Sequence, residues 1–269
     1  MDLEPDRLSD LYAAKRGTCS VRTIRYCHTL MSQALDYAIK QGKLKRNVAL
    51  LAEPPAREKK APNVVEAQDV SRFLKAAADT PYSEMVVTLL FTGLRRGELL
   101  ALRWKDLDLA RGKAYISRTM YRLKKEYVVK ETKTASSQRV VALPTGLCKL
   151  LADYYQRQVE QRKLLDMPMP ELVFTRPEGE PFDPSTFSHA VKKVSTRAGL
   201  DIKAHALRHS FATLLLKAGK HPLVVSAQLG HSSVRTTLDV YSHVLPGLQE
   251  AAARSLETFL PPQLSEGNR

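Results

Sequence analysis

The sequence predicts a mainly α (α+β) protein: a larger helical domain with one small antiparallel sheet, preceded by a smaller helical unit. Three observations carry this. Apolar residues recur at three- and four-residue steps along much of the 269-residue chain. β-rich runs are confined to residues 113–119, 126–130 and 139–143. A proline- and charge-rich stretch, "EPPAREKKAPN" at 53–63, separates two periodic regions.

The elements follow in order. In "SVRTIRYCHTLMSQALDYAIKQGKLKRN", residues 20–47, Ile24, Cys27, Met31, Leu35 and Ala38 line one face of a helix. Ser20 is placed to cap it and Gly42 to stop it. Lys43, Lys45 and Arg46 then read as a solvated helix end, favoured by the helix dipole. The stretch 53–63, with three prolines and five charged residues, reads as an extended linker. The segment before it is too short for a sturdy core of its own. "EAQDVSRFLKAAADT" and "PYSEMVVTLLFTG" read as helices, and the three β-rich runs as one small sheet. From Pro144 the pattern is helical, broken by "ELVFT" and the turn-rich "RPEGEPFDP". Helices are expected at 184–198, 204–218, 222–229, 233–243 and 247–258. The expected division is a helical unit at 1–53, a linker at 54–63, a main domain at 64–262 and a tail at 263–269.

Composition narrows the partners. Forty-two Lys and Arg against 28 Asp and Glu leave a net charge of +14, which points to a polyanion such as nucleic acid. The alternative is a basic protein kept soluble by its charge. No apolar run reaches the ~18 residues that suggest a membrane span, so no membrane partner is expected. The opening "MDLEPDRLSD" lacks the apolar core of a signal peptide. Cys19, Cys27 and Cys148 are odd in number and scattered, which disfavours a disulfide framework or structural zinc and suits a reducing cytoplasm.

Four stretches could carry chemistry. In "HALRHSFAT", residues 205–213, the helical wheel puts Leu207, Phe211, Leu214, Leu215 and Ala218 on one face, with Arg208 at its edge. An arginine there keeps its charge and requires a partner from the protein or a ligand. His205 and His209, four apart, raise a zinc helix of the metalloprotease type. That motif needs Glu after the first His, and Ala206 stands there, so no metal is expected and His209 reads as a packed core residue. In "TGLRRGELLALRWKDLDL", Arg95 and Glu98 lie three apart and, taken alone, read as a surface pair. In "TKTASSQRVVALP", Lys133 sits between two expected strands, where a lysine is ordinarily solvated. In "LGHSSVRTTLDVYSHV", Gly230 ends a helix, His231 occupies the break, Ser232 or Ser233 caps the next helix, and Tyr241 follows; singly that tyrosine is packing.

Together they fit one chemistry. A phosphodiester passing through a pentacoordinate state gathers negative charge on its non-bridging oxygens, which fixed cations stabilise. A tyrosine can attack the phosphorus and hold a covalent link, and a lysine can protonate the departing 5′-oxygen.

The four motifs, in this order and spacing, resemble the tyrosine recombinases, most of all the integrases of temperate phages and integrative elements, over about Val21 to Pro246. The resemblance implies that Arg95 and Arg208 clamp the scissile phosphate and that Lys133 is the general acid. It makes His205 a proton-transfer and phosphate-contacting group and His231 a hydrogen-bond donor to the phosphate. Tyr241 becomes the nucleophile and Glu98 a structural support. The implied reaction passes a strand through a 3′-phosphotyrosine to another duplex's 5′-hydroxyl, with no cofactor. The implied partners are double-stranded DNA, further copies of the chain (a tetramer on paired sites) and a directionality factor. Ala206 departs from a position that is often polar or acidic in the family. Residues 1–53 then correspond to a partial core-binding domain, only its final helices at roughly 7–50, which implies an N-terminal truncation. Two other readings stand beside this one: a catalytically silent DNA-binding remnant, and a topoisomerase of the same tyrosine class. "GLQEAAARSLETFL" is amphipathic and suits packing on a neighbouring subunit or on its own domain.

Overall fold

The computed structural model describes residues 4–56, 63–131, 138–231 and 233–241, together with 256 and 259. The linker's centre, the segment around Lys133, and most of the expected helix at 247–258 and the tail lie outside the described residues. The chain forms two compact units, Met1–Ala61 and Pro62–Arg269. Among the described residues no helix is long and apolar enough to cross a membrane.

The first unit holds α1 (Pro5–Lys15), α2 (Val21–Lys40) and a 3₁₀ turn at Val48–Leu51. Ser20 caps α2, its side chain accepting from the Thr23 N–H. Leu8, Tyr12, Ile24, Val48, Ala49 and Ala52 make a small core. Of the expected α2 stripe only Ile24 is buried, and Cys27 is exposed. One short helix and a turn cover only part of a 20-residue helix, so Met31, Leu35 and Ala38 are only partly buried. Asn47 ties the turn down: its amide donates to Asp36 at 2.7 Å and its oxygen accepts from the Ala49 N–H at 3.0 Å.

The second unit begins with α3 (Val70–Ala78), α4 (Ser83–Thr92) and α5 (Arg96–Leu100). α4 is apolar on nearly every side, burying Met85, Val86, Leu89 and Leu90 in the main core. It ends at Gly93, whose φ of +63° is left-handed, and a Cβ there would lie 2.4 Å from the Phe211 ring and 2.9 Å from Leu229. Both the backbone and the space require glycine. Gly93→Ala is expected to cost about 2–4 kcal/mol. A thermal melt would register that as a fall in Tm of roughly 5–15 °C.

Among the described residues two antiparallel sheets follow, where the sequence led us to expect one. β1 (Leu107–Asp108), β2 (Lys113–Ile116) and β5 (Arg139–Ala142) form a three-stranded sheet in the order β1-β2-β5. β3 (Arg118–Leu123) and β4 (Glu126–Glu131) form a separate pair. The run 113–119 therefore changes partner at Ser117: Ile116 faces Arg139, whereas Arg118 faces Glu131. Residues 132–138 separate β4 from β5 in the chain, so no single strand can pair along the whole run.

Among the described residues the remaining helices are α6 (Thr145–Leu164), α7 (Pro184–Arg197), α8 (Ala204–Lys217), α9 (Pro222–Leu229) and α10 (Val234–Tyr241). Asp183 caps α7, accepting from the Ser185 and Thr186 N–H groups at 2.9 Å. α8 departs from its expected single stripe. Ala204, Arg208, Ser210, Ala212, Thr213 and Leu216 are buried beside Leu207 and Phe211, while Ala218 is exposed. The helix packs against α4, α7 and α9 at once, so burial extends around most of its circumference. Ser210 fits that setting by accepting from the Val65 N–H at 2.8 Å and donating to Ala206 O at 2.9 Å.

Candidate active site

The site is built around the C-terminal end of α9. The last carbonyls of a helix lack helical N–H partners and sit at the negative end of its dipole. Here three successive carbonyls each receive a guanidinium. Arg139 Nε donates to Gln228 O at 2.8 Å, Arg208 Nη2 to Leu229 O at 2.6 Å, and Arg95 Nη2 to Gly230 O at 3.4 Å. Gly230 makes the arrangement possible by closing the helix in the left-handed conformation, φ +66°.

Each arginine is held from a second side. Arg208 Nη1 donates to Gly93 O at 2.7 Å, so its guanidinium bridges the end of α4 to the end of α9. The residue is 4% exposed, deeper than the edge position the wheel gave it. Arg95, just before α5, donates to Glu98 Oε1 at 2.8 Å, and Glu98 Oε2 accepts its backbone N–H at 2.8 Å. Glu98 is buried rather than part of a surface pair, and its main partner is Arg139, which donates to both carboxylate oxygens at 3.1 and 2.9 Å. Burial alone would raise the Glu98 carboxyl; the Arg139 hydrogen bonds and charge, then Arg95, outweigh it and hold the group below its usual range. Among the described residues one buried carboxylate meets three permanently charged guanidiniums, which leaves that group net cationic, an environment suited to an anion.

The histidines are neutral members. His231 follows Gly230, and its Nδ1 lies 2.8 Å from Oγ1 of Thr237, a buried residue of α10. Burial first, then Arg208, Arg95, His209 and Arg139, depress its pKa to about 4. His205 and His209 meet edge to face, ring centroids 5.1 Å apart. Burial, followed by the charges of Arg208 and Arg95, lowers His205; burial, followed by His205 and Arg208, brings His209 to about 4. Among the described residues no three His, Cys, Asp or Glu side chains gather into a metal-holding group.

The folded pKa values of His209 and His231 lie below the ordinary 6.5, so the unfolded chain binds protons first on acidification. Their contribution to stability is present above about pH 6.5 and is lost as pH falls toward 4. The urea midpoint, followed by circular dichroism, is expected to drop between pH 7.5 and 5. The drop should be smaller in His209→Gln.

The structure thus brings Arg95, Glu98, His205, Arg208 and His231 into one region. Lys133 lies outside the described residues; Tyr241 ends α10, and its side chain lies outside them too. Arg139, Gln228 and Thr237 were not singled out from the sequence. A signal existed for Arg139: strand alternation puts it on the same face as buried Val141, and an inward charge needs a counter-charge. Gln228 also accepts from the Ala142 N–H at 3.2 Å, a second tie from α9 to β5.

Comparison with known proteins places the chain in a family and a fold. The family model described as the phage integrase family matches residues 63–247. A XerC-like tyrosine recombinase of Caldanaerobacter subterraneus is 28% identical over 258 residues, covering 88% of this chain and 66% of that protein. The ICEBs1 integrase of Bacillus subtilis is 28% identical over 245 residues, covering 90% and 67%. The chain spans about two thirds of the length of these curated relatives. A structure of the Tn1549 transposon integrase in complex with a circular intermediate DNA shares the fold, with a TM-score of 0.81 at 20% identity, over 95% of this chain and 86% of that one. The chain belongs to the phage integrase family of tyrosine recombinases.

Proposed function

We propose that this chain is a site-specific DNA recombinase that breaks and rejoins strands through a 3′-phosphotyrosyl link, in the integration or excision of a phage or mobile element. The observation that carries it is the convergence of Arg95 and Arg208 on the Gly93 turn and the α9 terminus, with His231 next in the chain. In this reading the two guanidiniums balance the charge that grows on the non-bridging oxygens. In the same reading the neutral His231 ring, its Nδ1 2.8 Å from Thr237 Oγ1, takes the tautomer with its proton on Nε2, and that N–H donates a hydrogen bond to the phosphate. The Tyr241 oxygen passes its proton to His205 and bonds to phosphorus as the 5′-oxygen leaves with a proton from Lys133. A 5′-hydroxyl of another duplex then attacks the phosphotyrosine and restores the tyrosine. His205 contacts the phosphate and moves a proton, and no cofactor takes part. The partners are double-stranded DNA, other copies of the chain forming a tetramer on paired sites, and a directionality factor. Residues 1–53 act as a core-binding unit and 64–262 as the catalytic domain, and the reaction is cytoplasmic.

The test is a duplex nicked near the crossover point, so that cleavage releases a short fragment and traps the covalent complex. The wild-type chain is expected to form the complex and Tyr241→Phe to form none. DNA binding without a complex would favour the silent remnant. Relaxation of supercoiled plasmid without a partner site would favour the topoisomerase.

A further inference from the structure

Beside the arginine pair lies a cleft of about 630 Å³ that the reaction above does not use. His205 forms the wall it shares with the site, and Met120 and Ala204 line it with apolar surface. Its cations are Arg96, Lys192 and Lys203, and among the described residues no carboxylate lines it. Arg96 is fixed in place: Nη1 donates to Ser188 Oγ at 2.6 Å and to Pro184 O at 3.1 Å. Both acceptors are neutral, so the guanidinium's charge is not cancelled. Lys192 pairs with Asp201, which also feels Lys203, and that single acid leaves the cleft net positive. Gly97 lets α5 approach β3 closely enough to set Arg96 at this rim. A Cβ at 97 would lie 2.4 Å from Thr119 Oγ1 and 2.6 Å from Met120 O.

A DNA strand carries a phosphate about every 3.4 Å of helix axis. A strand whose scissile phosphate lies between Arg95 and Arg208 therefore delivers its neighbouring phosphate to surface close by. Arg96 follows Arg95 in the chain, and His205 separates the two cationic regions. We propose that this cleft seats a backbone phosphate adjacent to the scissile one on the same strand. The proposal rests on the reading of the chain as a DNA strand-exchange enzyme. Its consequence is that Arg96 and Lys203 fix the strand's register over Tyr241 without reacting themselves.

The test is the salt dependence of binding to a duplex of random sequence, which needs neither the target site nor cleavage. Removing the protein's grip on one phosphate lowers the slope of log affinity against log salt by about 0.9. Arg96→Gln with Lys203→Gln is expected to flatten the slope by about one such unit. Lys149→Gln with Lys163→Gln, exposed positions of α6 that do not line the cleft, should leave it unchanged, and Arg96→Lys should keep the wild-type slope. An unchanged slope in the cleft variant, or an equal loss in the α6 variant, would overturn the proposal. If that happens in a protein that still forms the Tyr241 adduct, the cleft assignment alone fails. A wild-type chain that binds no duplex would overturn both readings.

Discussion

Arg208→Lys is expected to slow strand cleavage by about 10²- to 10³-fold while leaving affinity for duplex DNA nearly unchanged. The guanidinium is a planar fork that reaches Gly93 O and Leu229 O together, at 2.7 and 2.6 Å. A lysine ammonium is a point charge on a flexible stem and cannot reproduce that span. The charge would remain but the placement proposed for it at the scissile phosphate would not, and positional precision is what transition-state stabilisation requires. Binding should change little because one phosphate contact among many contributes a small share of affinity. Single-turnover cleavage of the nicked duplex and a parallel titration separate the two effects. A variant that binds far more weakly yet cleaves at the wild-type rate would refute the assignment.

The second large effect concerns Glu98. Its carboxylate and the Arg139 side chain are 1% and 6% exposed, so neither charge can be rehydrated if the other is removed. Breaking such a pair costs about 3–5 kcal/mol. Glu98→Ala is therefore expected to lower Tm by roughly 6–20 °C. It should also release Arg95, which loses both its side-chain partner and the acceptor of its backbone N–H. Glu98→Gln keeps an acceptor without the charge and should fall between the two in Tm and cleavage rate. An Ala variant as stable as wild type would show that Arg139 is not tied to the fold through Glu98.

Most of the site was legible because its motifs carry residue types that packing alone does not ask for. A charged residue beside buried leucines in "HALRHSFAT", and a histidine in a helix break after Gly230, are odd in a plain core and meaningful as a set. What escaped was long-range pairing. Arg139 follows Lys133 by six residues, yet its partner is Glu98, far back in the chain, and its other acceptor is Gln228, far ahead. Periodicity reports which face is buried but not which distant charge waits there. The same limit explains α8: a wheel sees one stripe, whereas three neighbouring helices bury most of it and draw Arg208 inside. It also explains the sheets, since propensity marks β-rich residues without saying where a strand changes partner. The helix ends, in contrast, rest on local chemistry, and Ser20, Gly42 and Gly230 stand where capping rules place them.

The most direct measurement is to locate the covalent link itself. After reaction with the nicked duplex, nuclease and tryptic digestion followed by tandem mass spectrometry should find a nucleotide joined to the peptide 236–254 through the oxygen of Tyr241. A 3′-phosphate bond at Tyr241, absent from Tyr241→Phe and from Arg208→Ala, is the result expected of a tyrosine recombinase centred on the α9 terminus. DNA cleaved with the nucleotide attached to another residue, or cleaved with no attachment, would contradict it.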